Sequence, residues 1–292
     1  MTMIMQLKNV HKQYKDKKVL ENISLSIFQG EIVALVGKNG SGKSTLLKII
    51  GGLARADRGE LKQCIQPLKI GYVPEVTPVD VRFTPEEYLL HMGTIRGMNQ
   101  QQLRNRIDVL IHAFHLQNDV KTRMSHFSKG MKQKTMIMQA MLEETDLLIL
   151  DEPLSGLDPT AQADLEQLLL TLKERGLSII LTCHETKLLE NAVDRVLFIK
   201  DCQLVETNVA YEATEQMNQL IFEISIQQSC KELLPFIEIT KQSSLNAKVN
   251  RIEAMLKEEN TDKVIRALIL KEASIKQLLP INTKKESFYQ NF

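Results

Sequence analysis

The apolar run EIVALV, Glu31–Val36, breaks directly into Gly37-Lys38-Asn39-Gly40-Ser41-Gly42-Lys43-Ser44, and STLLKII then reads as a helix stopped at Gly51-Gly52. A strand with no polar alternation is buried on both faces, so helices must cover its sheet on two sides. The loop fits the pattern G-x-x-x-x-G-K-S/T, in which successive backbone N–H groups turn inward toward phosphates. That backbone path is one glycine tolerates and other residues resist. The helix behind it adds its positive end. Lys43 is placed to neutralise β- and γ-phosphate charge, and Ser44 to offer its hydroxyl to Mg²⁺. Gly37, Asn39, Gly40, Ser41, Gly42 and Thr45 complete the phosphate-site candidates, and the expected ligand is a nucleoside triphosphate.

The rest of the chain reads as α/β with one helical insertion. Ile23, Leu25 and Ile27 alternate with polar neighbours, a half-buried strand, and the runs LLILD and LSIILT each follow a helical pattern, as parallel strands do. Between Thr84 and about Glu144 strand patterns vanish. Thr84-Pro85-Glu86-Glu87 is a capping box with proline at the first helical position. Leu103, Ile107, Leu110, Ile111 and Phe114 form one helical stripe. These signals predict a first domain over 1–210 with a helical subdomain at about 82–144. A small α/β unit is expected over 213–292, where Phe222, Ile224 and Ile226 alternate as a strand. Helical patterns there lie around Lys231–Leu234 and Thr261–Leu268, and a short strand is expected at Leu278–Ile281.

Three further stretches carry chemistry. Leu147–Pro153 (LLILDEP) ends a buried strand in Asp151, which delivers a carboxylate beside the phosphates to hold Mg²⁺ through water. Glu152 follows as the candidate for polarising the attacking water. His184 closes the next strand, LTCH, at the same sheet edge. Phe127–Lys134 (FSKGMKQK) sets Ser128 and a bare Gly130 at the mouth of a helix. Its local reading is an N-cap with solvated lysines.

In this order (phosphate loop, helical insert, FSKGM, LLILDEP, SGLD at Ser155–Asp158, strand-end histidine) the sequence resembles the ATP-binding-cassette ATPases over residues 3–206. The details resemble the subunits that drive drug, peptide and lantibiotic exporters. The resemblance implies a phosphate-loop nucleotide-binding domain with a mixed sheet core, an inserted helical subdomain and a small C-terminal α/β accessory domain. It implies ATP and Mg²⁺ as cofactors, with Ser44, Glu75 and Asp151 toward the metal and Glu152, His184 and Glu75 in catalysis. Tyr14 takes the position of the aromatic that stacks on adenine. Ser128, Lys129 and Gly130 take the signature positions and Asp158 lies in the seam loop; in such proteins these face the nucleotide of a second subunit. Lys129 and Met131 depart from the family's usual glycine and glutamine, and Glu75 stands where most members carry glutamine.

The implied function is an ATP-hydrolysing subunit that dimerises around ATP and powers export by a separate transmembrane permease. A homodimer is favoured and a heterodimer is allowed. Two alternatives remain open on the sequence: a small-molecule kinase, and a non-transport cassette ATPase acting on a soluble macromolecular complex. No apolar run approaches a membrane span, so a peripheral place on the cytoplasmic face of the membrane, through the permease, is expected. With 37 basic and 36 acidic side chains the net charge is +1, which gives no support for nucleic acid as a partner. Four scattered cysteines form no metal-spaced pair and are expected to be reduced and mostly buried.

Overall fold

The structure is a computed structural model that describes residues 2–76, 81–183, 186–207, 217–225, 227–228, 233–246 and 248–281. His184, Ile226 and Lys231, singled out above, and Cys230, one of the four cysteines, lie outside the described residues. The chain separates into two compact units, Met1–Val209 and Ala210–Asn291.

The first unit opens with β1 (Met3–Tyr14) and β2 (Lys17–Phe28), an antiparallel pair. The all-apolar stretch forms β3 (Ile32–Val36), every residue of it buried, and leads into α1 (Lys43–Ile50). β4 (Arg58–Gln63) returns to pair with β1, and β5 (Ile70–Val73) starts the second layer. Two sheets result, one ordered β2-β1-β4. The other combines β5 and β3 with β6 (Leu147–Leu150), β7 (Ser178–Thr182), β8 (Arg195–Lys200) and β9 (Gln203–Thr207) in the order β5-β6-β7-β3-β8-β9. All pairs in it are parallel except β8–β9. Val33, Leu35, Leu147, Ile149, Ile180, Leu197 and Ile199 recur at every second residue on these strands. They share one core with Leu46, Leu47, Ile49 and Ile50 of α1 and with Leu7, Val10, Ile23 and Ile27 of the antiparallel pair. A period-2 pattern on β2, β3, β6 and β8 and an amphipathic helix thus converge on one interior, and this interior fixes α1 beneath the strand ends.

The insert is helical, as its periodicity predicts. α2 (Pro85–Ile95) starts at Thr84, whose side chain accepts the Glu87 N–H while Glu87 returns a bond to the Thr84 N–H. α3 (Gln100–Ala113) buries Leu103, Ile107, Leu110 and Ile111, with Phe114 just beyond its end. α4 (Lys129–Ala140) completes the insert. α2 and α3 meet closely at Gly93, where an added Cβ would collide with both terminal methyls of the fully buried Leu103. Gly93→Ala is therefore expected to destabilise the chain by about 1–3 kcal/mol, the usual cost of overpacking, read as a lower urea midpoint at an unchanged slope.

α5 (Pro159–Glu174) and α6 (Thr186–Asn191) belong to the same unit. The second unit is a four-stranded antiparallel sheet. Its strands are β10 (Met217–Ser225), β11 (Ile237–Asn246), β12 (Val249–Lys257) and β13 (Ser274–Ile281), in the order β11-β12-β10-β13. α7 (Thr261–Leu270) packs Val264 and Leu268 with Leu220, Phe222, Ile224, Ile252 and Leu256. The buried bond from Asn218 Nδ2 to Thr261 Oγ1, 2.8 Å, ties the central strand to the first turn of that helix. The expected short strand at Leu278–Ile281 is the end of the longer β13.

The cysteines correct one expectation. Of the three described, Cys183 is buried, Cys202 is intermediate and Cys64 is exposed. Cys64 follows β4, a strand whose residues are almost all exposed, and Cys202 sits in the turn before β9. Neither position offers a core to a small apolar side chain.

Candidate functional site: a phosphate-loop cavity at the strand ends

The loop after β3 carries its glycines where backbone crosses backbone. A Cβ on Gly37 would stand 2.6 Å from the Ile199 carbonyl oxygen. Gly42, at φ 110°, would meet the Val19 carbonyl oxygen at 2.8 Å. α1 begins at Gly42 with no side-chain cap, an arrangement that leaves the first turn for an anion rather than for the chain's own oxygens. The Ser41 hydroxyl oxygen beside it is buried without a hydrogen-bond partner.

Lys43, almost fully buried, points back into the loop. Its Nζ donates to the Gly37 carbonyl at 2.6 Å and stands 3.7 Å from Glu152 Oε1. β6 ends at Leu150, and the next residue, Asp151, is 4 % exposed. Its Oδ1 accepts from Ser44 Oγ at 3.1 Å and from Thr182 Oγ1 at 2.9 Å. The Thr182 hydroxyl in turn accepts the Glu152 N–H at 2.6 Å. Glu152 has a left-handed backbone, φ 50°, a conformation that costs a non-glycine residue about 1–3 kcal/mol. The bond to Thr182 and the ion pair to Lys43 hold it there. Thr182 was not a sequence candidate, because a threonine in a strand reads as β propensity until the neighbouring strand is known.

A cavity of about 810 Å³ opens over this edge. It gathers Tyr14, Asn39, Gly40, Gly42, Lys43, Ser44, Thr45, Glu75 and Glu152, together with Lys17, Val19, Ser155 and Gly156. Gly37, Ser41 and Asp151 are not in its lining, although Gly37 is hydrogen-bonded to Lys43 and Asp151 to Ser44, which are. Tyr14 is 49 % exposed, with Lys12 Nζ over its ring at 5.2 Å, and Lys12 is held to Asp57 at 2.7 Å. Glu75 is exposed in the bend just after β5. Asp158 caps α5, accepting the Ala161 N–H at 3.0 Å, with Pro159 in the first turn. Ser128 caps α4, accepting the Met131 N–H at 3.2 Å. Neither these two residues nor Lys129 and Gly130 line the cavity. Lys129 instead lies along the loop before α5, its Nζ 2.5 Å from where a Cβ of Gly156 would be.

A family model described as ABC transporter matches residues 20–155. Nod factor export ATP-binding protein I of Burkholderia orbicola (strain AU 1054) is 34 % identical over 203 residues, covering 66 % of this chain and 67 % of that protein. An uncharacterized ABC transporter ATP-binding protein of Methanocaldococcus jannaschii is 34 % identical over 194 residues, covering 66 % of this chain and 73 % of its own length. The chain belongs to the ABC transporter ATP-binding family. A solved ATP-binding subunit of an ABC transporter superposes on this ABC protein with a TM-score of 0.61 at 32 % identity, covering 70 % of this chain and 89 % of that one. The ABC chain is accordingly an ATPase and the nucleotide-binding part of a transporter. Among its described residues no helix is long and apolar enough to cross a membrane.

Proposed function

We propose that two copies of the chain close head to tail around two ATP molecules, hydrolyse them, and by closing and opening drive export through a separate transmembrane permease. The observation that carries this reading is the division of the site. One chain's cavity holds the phosphate loop, Tyr14, Glu75 and Glu152, but not Ser128, Lys129, Gly130 or Asp158. A second subunit supplies these from the opposite side. Ser128 uses its oxygen to cap α4 and keeps its hydroxyl proton for a γ-phosphate, and the positive end of α4 faces the same charge.

In this mechanism Tyr14 stacks on adenine, the loop amides and Lys43 cradle the phosphates, and Glu152 orients the water and takes its proton. Mg²⁺ would be held by Ser44 and Asp151, with Glu75 reaching in from the bend after β5, and when bound it would supply positive charge to neutralise the phosphates. The residues fit that ion. Among the described residues no group of three His, Cys, Asp or Glu side chains could cage a metal. A site of one hydroxyl and one carboxylate beside phosphates suits Mg²⁺, which keeps several waters. His184, outside the described residues, belongs to this reading as a hydrogen-bonding group for the γ-phosphate or the attacking water, and residues 213–292 as an accessory domain after the cassette at 1–210. The helical subdomain at 82–144 and the loop with Glu75 receive the permease on the cytoplasmic face of the membrane. The export direction follows the relatives, several of which are named Nod factor export ATP-binding protein I.

The test is the dependence of turnover on dilution. Phosphate release per chain is expected to fall in proportion to concentration once the protein is diluted below its dimerisation constant, so that the total rate becomes second order in protein. A dilute chain, shown to be monomeric by light scattering yet working at the full rate, would overturn the sandwich.

A further inference from the structure

Tyr72 has no part in the mechanism above, yet its hydroxyl is buried and meets no hydrogen-bond partner. Such orphaned donors are rare in native interiors, and each calls for a physical reason. The ring sits on β5 beside Ile149 of β6 and faces the core shared with α1. A Cβ built at Gly51, the end of α1, would stand 3.3 Å from Tyr72 Cδ2. The two strands stay paired to their ends, the Asp151 N–H donating to the Val73 carbonyl at 3.0 Å. Leu147, Ile149 and Asp151 recur at every second residue, so Asp151 follows Ile149 on the face that Tyr72 shares. Burial first, then the negative charge of Asp151 and a side-chain interaction with its carboxylate, push the phenol up to about 12. The hydroxyl therefore already lies near that carboxylate but short of full hydrogen-bond geometry.

In the structure Asp151 is served by Thr182 and Ser44, both on Oδ1. A metal that takes the Ser44 oxygen removes one of these donors at the moment the carboxylate must hold its orientation. We propose that Tyr72 is a positioning residue for the metal site, its hydroxyl donating to the Asp151 carboxylate when Ser44 turns to Mg²⁺. The inference rests on the assignment of Ser44 and Asp151 to that ion. It turns a contact that falls short of hydrogen-bond geometry into a full hydrogen bond when the metal is bound.

Tyr72→Phe removes one oxygen and keeps the ring. Titration calorimetry with ATP is run in excess chelator and again at rising Mg²⁺, beside Asp151→Asn as a control. Affinity in chelator is expected to stay within about twofold. The gain in affinity on adding Mg²⁺ is expected to shrink about tenfold, the usual scale for a group that orients a metal ligand. The thermal midpoint of the protein without nucleotide should change little, since the hydroxyl makes no well-formed hydrogen bond there. Equal losses with and without Mg²⁺, or no loss, overturn the proposal if Asp151→Asn abolishes the Mg²⁺ gain. If Asp151→Asn keeps that gain, the metal assignment itself fails and the proposal falls with it.

Discussion

Glu152→Gln is expected to lower ATP turnover by about 10²–10⁴-fold, the usual contribution of a placed general base, while ATP still binds. The amide keeps the size and the backbone bond to Thr182 but cannot accept the water's proton. Two further outcomes come from the geometry. Glu152 stands 3.7 Å from Lys43, so phosphate must compete with this carboxylate for the lysine. Removing the negative charge removes that competition, and ATP should bind the variant at least as tightly as the parent. Unhydrolysed ATP should then hold two chains together, visible as an ATP-dependent dimer in light scattering. Retained turnover, or lost turnover with weakened ATP binding, would mean that Glu152 is not the base.

Lys43→Met should do the reverse, abolishing nucleotide affinity before chemistry can begin. The methionine retains an unbranched stem of similar length in a place only 6 % exposed, so packing is conserved while the charge and the bond to the Gly37 carbonyl are lost. Truncating one partner of a desolvated, hydrogen-bonded charge pair costs about 2–5 kcal/mol, which at ambient temperature is about 30-fold to several thousand-fold in affinity. Calorimetry with ATP reads it directly. The adenine end should still contribute through Tyr14, so adenosine, which carries no phosphate, should bind parent and variant alike. An equal loss for adenosine would show that the substitution had disturbed the loop rather than the phosphate contact.

What the sequence made legible was whatever depends on neighbours along the chain. The phosphate loop between β3 and α1, the Thr84 box and the α3 stripe are local patterns, and each lies where its periodicity puts it. β1 was hidden by its own irregularity. Asn9 has φ 49° and the pairing with β2 slips between Leu7 and Val10, so the apolar residues fall out of strict alternation although both are buried. β4 was hidden by exposure, since an edge strand with no buried face carries no alternation to read. In the candidate site, Lys43, Asp151 and Glu152 were readable from their motifs. Thr182 and Tyr72 were not, because both owe their place to strands that are far apart in the chain and adjacent in the sheet. The alignment of Lys129 with Gly156 is likewise a contact between distant segments that no spacing rule encodes.

One hydroxyl, that of Thr182, grips the side chain of the first acid and the backbone of the second. Whatever shifts that strand end tilts both carboxylates together. A lineage drifting at this position could not trade a tighter ion for a slower base, or the converse. The pair would be inherited, and lost, as one heirloom.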